Sequence, residues 1–181
     1  MPSLGDRLRS LFGGGSSASR RPASADRVDR VAPWLYLGAA LSANRYSELP
    51  ALGVTHVLDL REEGSDDPEL IERLGMRWHR IEIPDREPPT DEQLEAILDW
   101  LDREADSSVD QAVYVHCHAG LTRTPTIAIA LLMQQQLSLA EARRLVFAAR
   151  PEVEPSQRQM AWLELLEARL RPPVVDTTPD A

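Results

Sequence analysis

An apolar β-like run, Ala112-Val113-Tyr114-Val115, leads into the segment His116-Cys117-His118-Ala119-Gly120-Leu121-Thr122-Arg123-Thr124. An apolar, helix-like run from Pro125 to Gln136 follows at once. A strand passing through a tight loop into a helix builds an anion cradle, because the N–H groups of the loop and of the first helical turn point inward without partners. This junction constrains the fold more than any other feature, since its strand must lie in a sheet and its helix must pack back against that sheet. Strand-like runs at 31–37, 54–60, 77–83 and 112–116 alternate with helix-like runs at 42–50, 67–74, 91–105, 125–136, 139–149 and 156–170. That alternation predicts an α/β fold with a central, mostly parallel, twisted sheet of about four to five strands flanked by helices. The anion loop belongs at a strand's C-terminal edge. Thr90-x-x-Gln93, Ser138-x-x-Glu141 and Ser156-x-x-Gln159 read as capping boxes that start three of the helices, and Pro151 ends the helix before it.

The residues inside the cradle point to phosphoryl chemistry. Cys117 is the only cysteine in 181 residues. A free thiol is mostly protonated at neutral pH, yet the thiolate is the nucleophile. Inward N–H groups, the helix dipole and Arg123 all favour the anion at Cys117. The planar guanidinium of Arg123 matches two phosphate oxygens, which a lysine could not do. Gly120 permits positive φ and close backbone approach. Thr124 is placed to hydrogen-bond the sulfur, and His116 to order the loop backbone without touching substrate. His118, Ala119, Gly120, Leu121, Thr122 and Arg123 form the phosphate-binding loop. Taken singly, a lone cysteine is more often a small core residue. The joint pattern HCxxGxxR[ST] arises by chance in a chain of this size less than about once in a thousand.

The segment from His116 to Thr124, continued by Pro125-Thr126-Ile127-Ala128-Ile129-Ala130, resembles the signature of the dual-specificity branch of the cysteine-dependent protein phosphatases. Trp34-Leu35-Tyr36-Leu37-Gly38 resembles that family's opening strand, and Gly53 to Leu60 its second. Ser138 to Ala142, Ala149-Arg150-Pro151 and Pro155 resemble its closing helices. The likeness runs from about Arg27 to Leu170. It implies a cysteine-phosphatase-like fold and removal of phosphate from Tyr and Ser/Thr through a phosphocysteine intermediate, with a phosphorylated protein or another phosphomonoester as substrate. No metal or cofactor is needed for that reaction. His116, His118 and Cys117 would make only a weak metal site.

A leaving alkoxide or phenoxide must be protonated, and a water later deprotonated. Asp85 follows the strand-like run and opens a Pro-rich loop, where a mobile acid would sit. It lies 32 residues before Cys117, similar to the family's spacing for its general acid. Asp91 reads instead as a helix N-terminal residue, and Glu87 as a weaker candidate. The loop before Asp85 lacks the tryptophan of the tyrosine-specific branch, so a shallower, broader pocket is expected. Relatives in the family act on phosphoinositides, RNA 5′ phosphates or phosphorylated glucan, and those alternatives stay open. So does a phosphate-reading module with little catalysis.

Charge and composition narrow the partners. All 20 basic residues are arginine, against 29 acids, for a net charge of −9. Residues 1–30 carry six arginines and three aspartates, so the rest of the chain is strongly acidic. An acidic body repels nucleic acid and anionic lipid, so no nucleic-acid partner is expected. The chain lacks the loop lysines of phosphoinositide-directed relatives. No apolar stretch is long enough to span a membrane, and the N-terminus lacks the apolar core of a secretory signal. One cysteine excludes an internal disulfide, and a working thiolate needs reducing conditions, which predicts a cytoplasmic location. The same lone thiol, once oxidised, would have no resolving partner in this chain.

Residues 1–26 are expected to form a flexible Gly/Ser/Arg-rich tail, 27–171 the phosphatase domain, and 172–181 a loose Pro-containing end. Leu4, Leu8, Leu11 and Phe12 fall at helical spacing beside Arg7 and Arg9. That pattern would suit membrane-surface or partner docking through residues 4–12, but so short a helix is marginal alone, and disorder is the default. Oligomeric state is not legible.

Overall fold

A computed structural model describes residues 27–104 and 110–171. The two predicted tails, including the 4–12 segment, and residue 105 of the third predicted helix lie outside the described residues.

Five strands, β1 (Asp29–Ala32), β2 (Leu35–Ala39), β3 (His56–Arg61), β4 (Arg77–Ile83) and β5 (Val113–Cys117), form one sheet in the order β1-β2-β5-β3-β4. β1 is antiparallel to β2, and every other pairing is parallel. The α-helices are α1 (Ala43–Tyr46), α2 (Pro68–Arg73), α3 (Asp91–Arg103), α4 (Arg123–Gln134), α5 (Leu139–Ala149) and α6 (Gln157–Leu170). The expected α/β architecture is therefore present. Two local readings are corrected. The single strand expected at 31–37 is a hairpin, because Pro33 cannot continue a ladder and the chain reverses so that Asp29 pairs with Leu37. The helix expected at 42–50 is one turn of α-helix and a separate 3-10 turn at Pro50–Leu52.

Alternation along the strands sorts side chains onto two faces. Leu35, Leu37, Leu58, Leu60, Val113, Val115 and Cys117 enter the larger core with α3, α4, α5 and α6. Tyr36, Val57 and Tyr114 point the other way, into a smaller core with Tyr46, Leu49 and Ile71. His116 therefore faces away from Cys117 although they are neighbours. α4 is buried from Arg123 through Met133, as a helix that is apolar all round should be. It packs beneath β5, and its N-terminus meets that strand's C-terminal edge. The capping boxes expected on α3, α5 and α6 are all formed.

Candidate active site

The loop between β5 and α4 is bent by what holds its carbonyl groups. The carbonyls of Cys117 and His118 both accept from the Ala40 N–H, at 2.8 and 3.2 Å. Those of Ala119 and Gly120 accept from Arg150, each at 3.2 Å. The Leu121 carbonyl accepts from the Glu154 N–H at 2.7 Å, and that of Thr122 from the Thr126 hydroxyl at 2.8 Å. Six successive carbonyls are thus drawn outward, which turns the N–H side of the loop toward its own centre. The Gly120 N–H donates to Cys117 Sγ at 3.3 Å. Gly120 has φ +70°, and a Cβ there would overlap the Gly38 carbonyl, so both conformation and space demand glycine. α4 has no side-chain N-cap, unlike α3, α5 and α6, and its first N–H groups lie at the loop.

In the sequence Arg150 stands out only within the Ala149-Arg150-Pro151 stretch that resembles the family's closing helices, with no role of its own. It is 1% exposed. Besides the two loop carbonyls it binds Asp29 at 2.8 Å, so β1 and the end of α5 jointly clamp the loop. A fully buried arginine needs several acceptors, and the loop supplies them.

Cys117 and Arg123 are each 2% exposed. They border an open cleft of about 390 Å³ together with Glu62, Glu63, Asp85, Arg86, His118, Ala119, Leu121 and Thr122. Asp85 reaches the same mouth: its Oδ1 lies 3.4 Å from Thr122 Oγ1 and 3.5 Å from Arg123. Its loop is not loose. Ser156 Oγ donates to the Arg86 carbonyl at 2.7 Å, Gln159 to that of Glu87 at 3.0 Å, and Arg158 pairs with the Glu87 carboxylate at 2.5 Å. Arg86 itself has φ +63°, a left-handed turn that presents its carbonyl to α6. Glu87 is occupied by these contacts, and Asp91 binds Arg169 and Trp162 on α6, as suits a helix-start residue. Thr124 is fully buried, and its hydroxyl lies 3.4 Å from the Gly38 carbonyl.

Arg123 carries a partner that went unnoticed in the sequence. Its two terminal nitrogens bind the Glu63 carboxylate in a fork, at 2.7 and 2.6 Å, and one also donates to the Ile83 carbonyl at 3.1 Å. The Arg123 hydrogen bond holds the Glu63 carboxyl far below the usual range, at about 2.

Behind the loop lies a second polar group. Asp59 and His116 are register partners on β3 and β5. The His116 Nε2–H donates to Asp66 at 2.8 Å, which sets that tautomer because an ionised carboxylate only accepts. Tyr46 donates to Asp66 at 2.7 Å, and Arg61 binds both Asp59 and Asp66, at 2.8 and 2.5 Å. Burial opposes ionisation of Asp66, but the His116 and Tyr46 hydrogen bonds and the Arg61 charge outweigh it and hold the carboxyl below its ordinary value. Asp59, Asp66 and His116 offer atoms within 4.8 Å of one another. The Arg61 guanidinium already occupies the cation's place among them. His116 and His118 lie on opposite sides of the loop, the first buried and the second exposed, so they do not converge with Cys117 as metal ligands.

Residues 35–169 match the family described as dual specificity phosphatase, catalytic domain. Dual specificity protein phosphatase 26 of Homo sapiens is 35% identical over 150 residues, covering 81% of this chain and 70% of that protein. Among solved structures, Tk-PTP in its active form is 30% identical with a TM-score of 0.67, covering 78% of this chain and 97% of its own. PTPMT1 shares the fold with a TM-score of 0.70 at 22% identity, over 80% of this chain and 96% of its own.

Proposed function

The chain belongs to the dual specificity phosphatase family and is a cysteine-dependent protein phosphatase, and from that premise we propose which residues carry the reaction and how. Cys117 thiolate attacks phosphorus in line. The inward N–H groups of residues 118–123 and the Arg123 fork bind the equatorial oxygens, where charge develops in the transition state. Asp85 gives its proton to the departing oxygen of Tyr, Ser or Thr, leaving phospho-Cys117. Water then attacks the phosphocysteine, Asp85 takes its proton, and the thiolate leaves with Thr124 beside it. The observation that carries this reading is the set of six outward-bound carbonyls around a buried thiol, with Arg123 and Asp85 meeting at the mouth.

His116, held by Asp66 on the far face, orders the loop from behind. A lone catalytic thiol works only under reducing conditions, which supports a cytoplasmic setting. Among the described residues no helix is long and apolar enough to cross a membrane. A complex of PTPMT1 with PI(5)P has been solved. The likeness to that protein extends to the fold alone, and the carboxylates of Glu62, Glu63 and Asp85 around this cleft favour phosphoprotein over a polyanionic lipid.

The test is hydrolysis of a small aryl phosphate across pH 5 to 8 under reducing conditions. Cys117→Ser should abolish turnover while phosphate still binds. Arg123→Lys should stay badly impaired, and Asp85→Asn should lose on the order of 10²–10⁴ in rate on an alkyl ester. Undiminished turnover by Cys117→Ser would overturn the assignment, and an unaffected Asp85→Asn would move the acid elsewhere.

A further inference from the structure

Among the described residues two non-glycine positions have positive φ. Gln136 lies just past the end of α4, where a left-handed residue is an ordinary helix cap. Arg86, at +63°, lies on the loop that carries Asp85. Its turn serves the backbone, offering the Arg86 carbonyl to Ser156 Oγ at 2.7 Å. A glycine would make the same turn without the steric cost that a Cβ brings, so the turn alone does not account for an arginine. The side chain is exposed, and among the described residues no acceptor or carboxylate engages it.

A second cleft, of about 460 Å³, is lined by Glu87, Glu154, Ser156 and Arg158 among others, and Arg86 is the one residue it shares with the active-site cleft. The other arginines lining the two clefts are paired already, Arg123 with Glu63 and Asp85, and Arg158 with Glu87 at 2.5 Å. Arg86 is therefore the free cation at the point where one cleft passes into the other. We propose that Arg86 is a specificity-determining residue that reads an acidic side chain beside the phosphorylated residue, as the substrate chain runs from the first cleft into the second. The proposal rests on the phosphatase reading above and adds the substrate class to it: a phosphopeptide with a carboxylate next to its phosphoester.

Chain geometry sets the reach. Asp85 must meet the ester oxygen of the phosphorylated residue, and consecutive Cα atoms lie about 3.8 Å apart on both chains. The residue next to the phosphoester therefore comes alongside the residue next to Asp85. Elsewhere an extra anion is opposed, because Glu62, Glu63 and Asp85 line the first cleft, with His118 beside them, and Glu154 lines the second. One carboxylate held at Arg86 fits, whereas an acidic run or a polyphosphorylated lipid adds repulsion. The guanidinium is exposed, so the gain is that of a rim ion pair, about three- to fivefold in affinity at low salt and less at high salt.

Calorimetric binding of phosphotyrosine peptides to the Cys117→Ser protein tests this without turnover, with Glu, Gln or Lys placed singly at each flanking position on either side of the phosphotyrosine. At one flank, Glu should bind about three- to fivefold tighter than Gln at low salt, and the advantage should shrink as salt rises. In the same background Arg86→Gly, which suits the left-handed turn and keeps the loop in place, should erase the preference. Arg86→Glu should invert it in favour of Lys. Each ratio is taken within one protein, so a general change in affinity cancels. No advantage for Glu at any flank, or an advantage that survives both substitutions, would overturn the proposal. Absence of aryl phosphate hydrolysis by wild type would instead defeat the phosphatase reading, while the peptide ratios still decide the role of Arg86.

Discussion

Arg61 and Arg123 keep similar company in very different surroundings. Each is gripped in a fork by one carboxylate and approached by a second: Asp59 and Asp66 around Arg61, Glu63 and Asp85 around Arg123. The side chains of Asp59 and Asp66 are 0% and 3% exposed, whereas those of Glu63 and Asp85 are 42% and 62% exposed. In the first cluster Tyr46, His116 and Trp78 also point at Asp66. Nothing there can leave without stranding a buried charge. In the second, both carboxylates can exchange the guanidinium for water. The same pairing is closed off from water behind the loop and open to it in front. Desolvation makes the difference, and with it the difference between a cluster that holds a shape and one that can admit a ligand.

Removing the arginine from each side should break the symmetry most visibly. Arg61→Met leaves two buried carboxylates unpaired and should cost about 3–5 kcal/mol in denaturant unfolding. Arg123→Met leaves carboxylates that water can solvate, and should cost less than about 1 kcal/mol. Its phosphatase rate should nonetheless fall by at least about 10². Equal destabilisation by the two would mean the front cluster is as closed as the rear one.

A smaller effect separates the clusters by pH. The folded-state pKa of Asp66 is depressed, so its contribution is fully present above the ordinary carboxyl value, near 3.9. It is lost as pH falls through the lower folded value. Asp66→Asn should cost about 1–3 kcal/mol at pH 7 and flatten the decline in stability below pH 4. An acid transition as steep as wild type would remove Asp66 from the lock.

The smallest effect isolates a third site. Burial lowers the pKa of both His56 and His79, which contact Trp100 of α3 at ring-centroid distances of 5.2 and 5.1 Å. The unfolded chain therefore binds protons first as pH drops below about 6.5, and stability should fall by less than about 1 kcal/mol between pH 7 and 5. His79→Gln should shrink that slope without touching the carboxylate transition below pH 4. An unchanged slope would rule out His79.

Much of this was legible in one dimension because it is local. Capping boxes span four residues, the phosphate loop spans nine, and strand periodicity resets within five or six. Thr90, Ser138 and Ser156 therefore announced their helices. Asp85 was findable because a strand end delivers it to the loop's mouth. The hairpin at Pro33 was also local, and was missed because the apolar run on either side of that proline masked it. Glu63 and Asp66 offered no such cue. Both sit among polar residues of a loop that reads as solvated, and the arginine of that run, Arg61, looked no different from any other strand-end cation.

The sequence by itself determined that a thiol lies at the base of an anion-binding strand–loop–helix, with an arginine fork six residues on and a Gly at the position where that loop turns left-handed. Only the tertiary structure decided what surrounds that loop. The β3–β5 register puts Asp59 beside His116, the return of α5 brings Arg150 onto the Ala119 and Gly120 carbonyls, and the loop after β3 lays Glu63 across Arg123. Those contacts join residues 30 to 60 positions apart and depend on which strands are neighbours. They are set by how the sheet closes and where burial forces charges to pair, and no short stretch of chain contains that information.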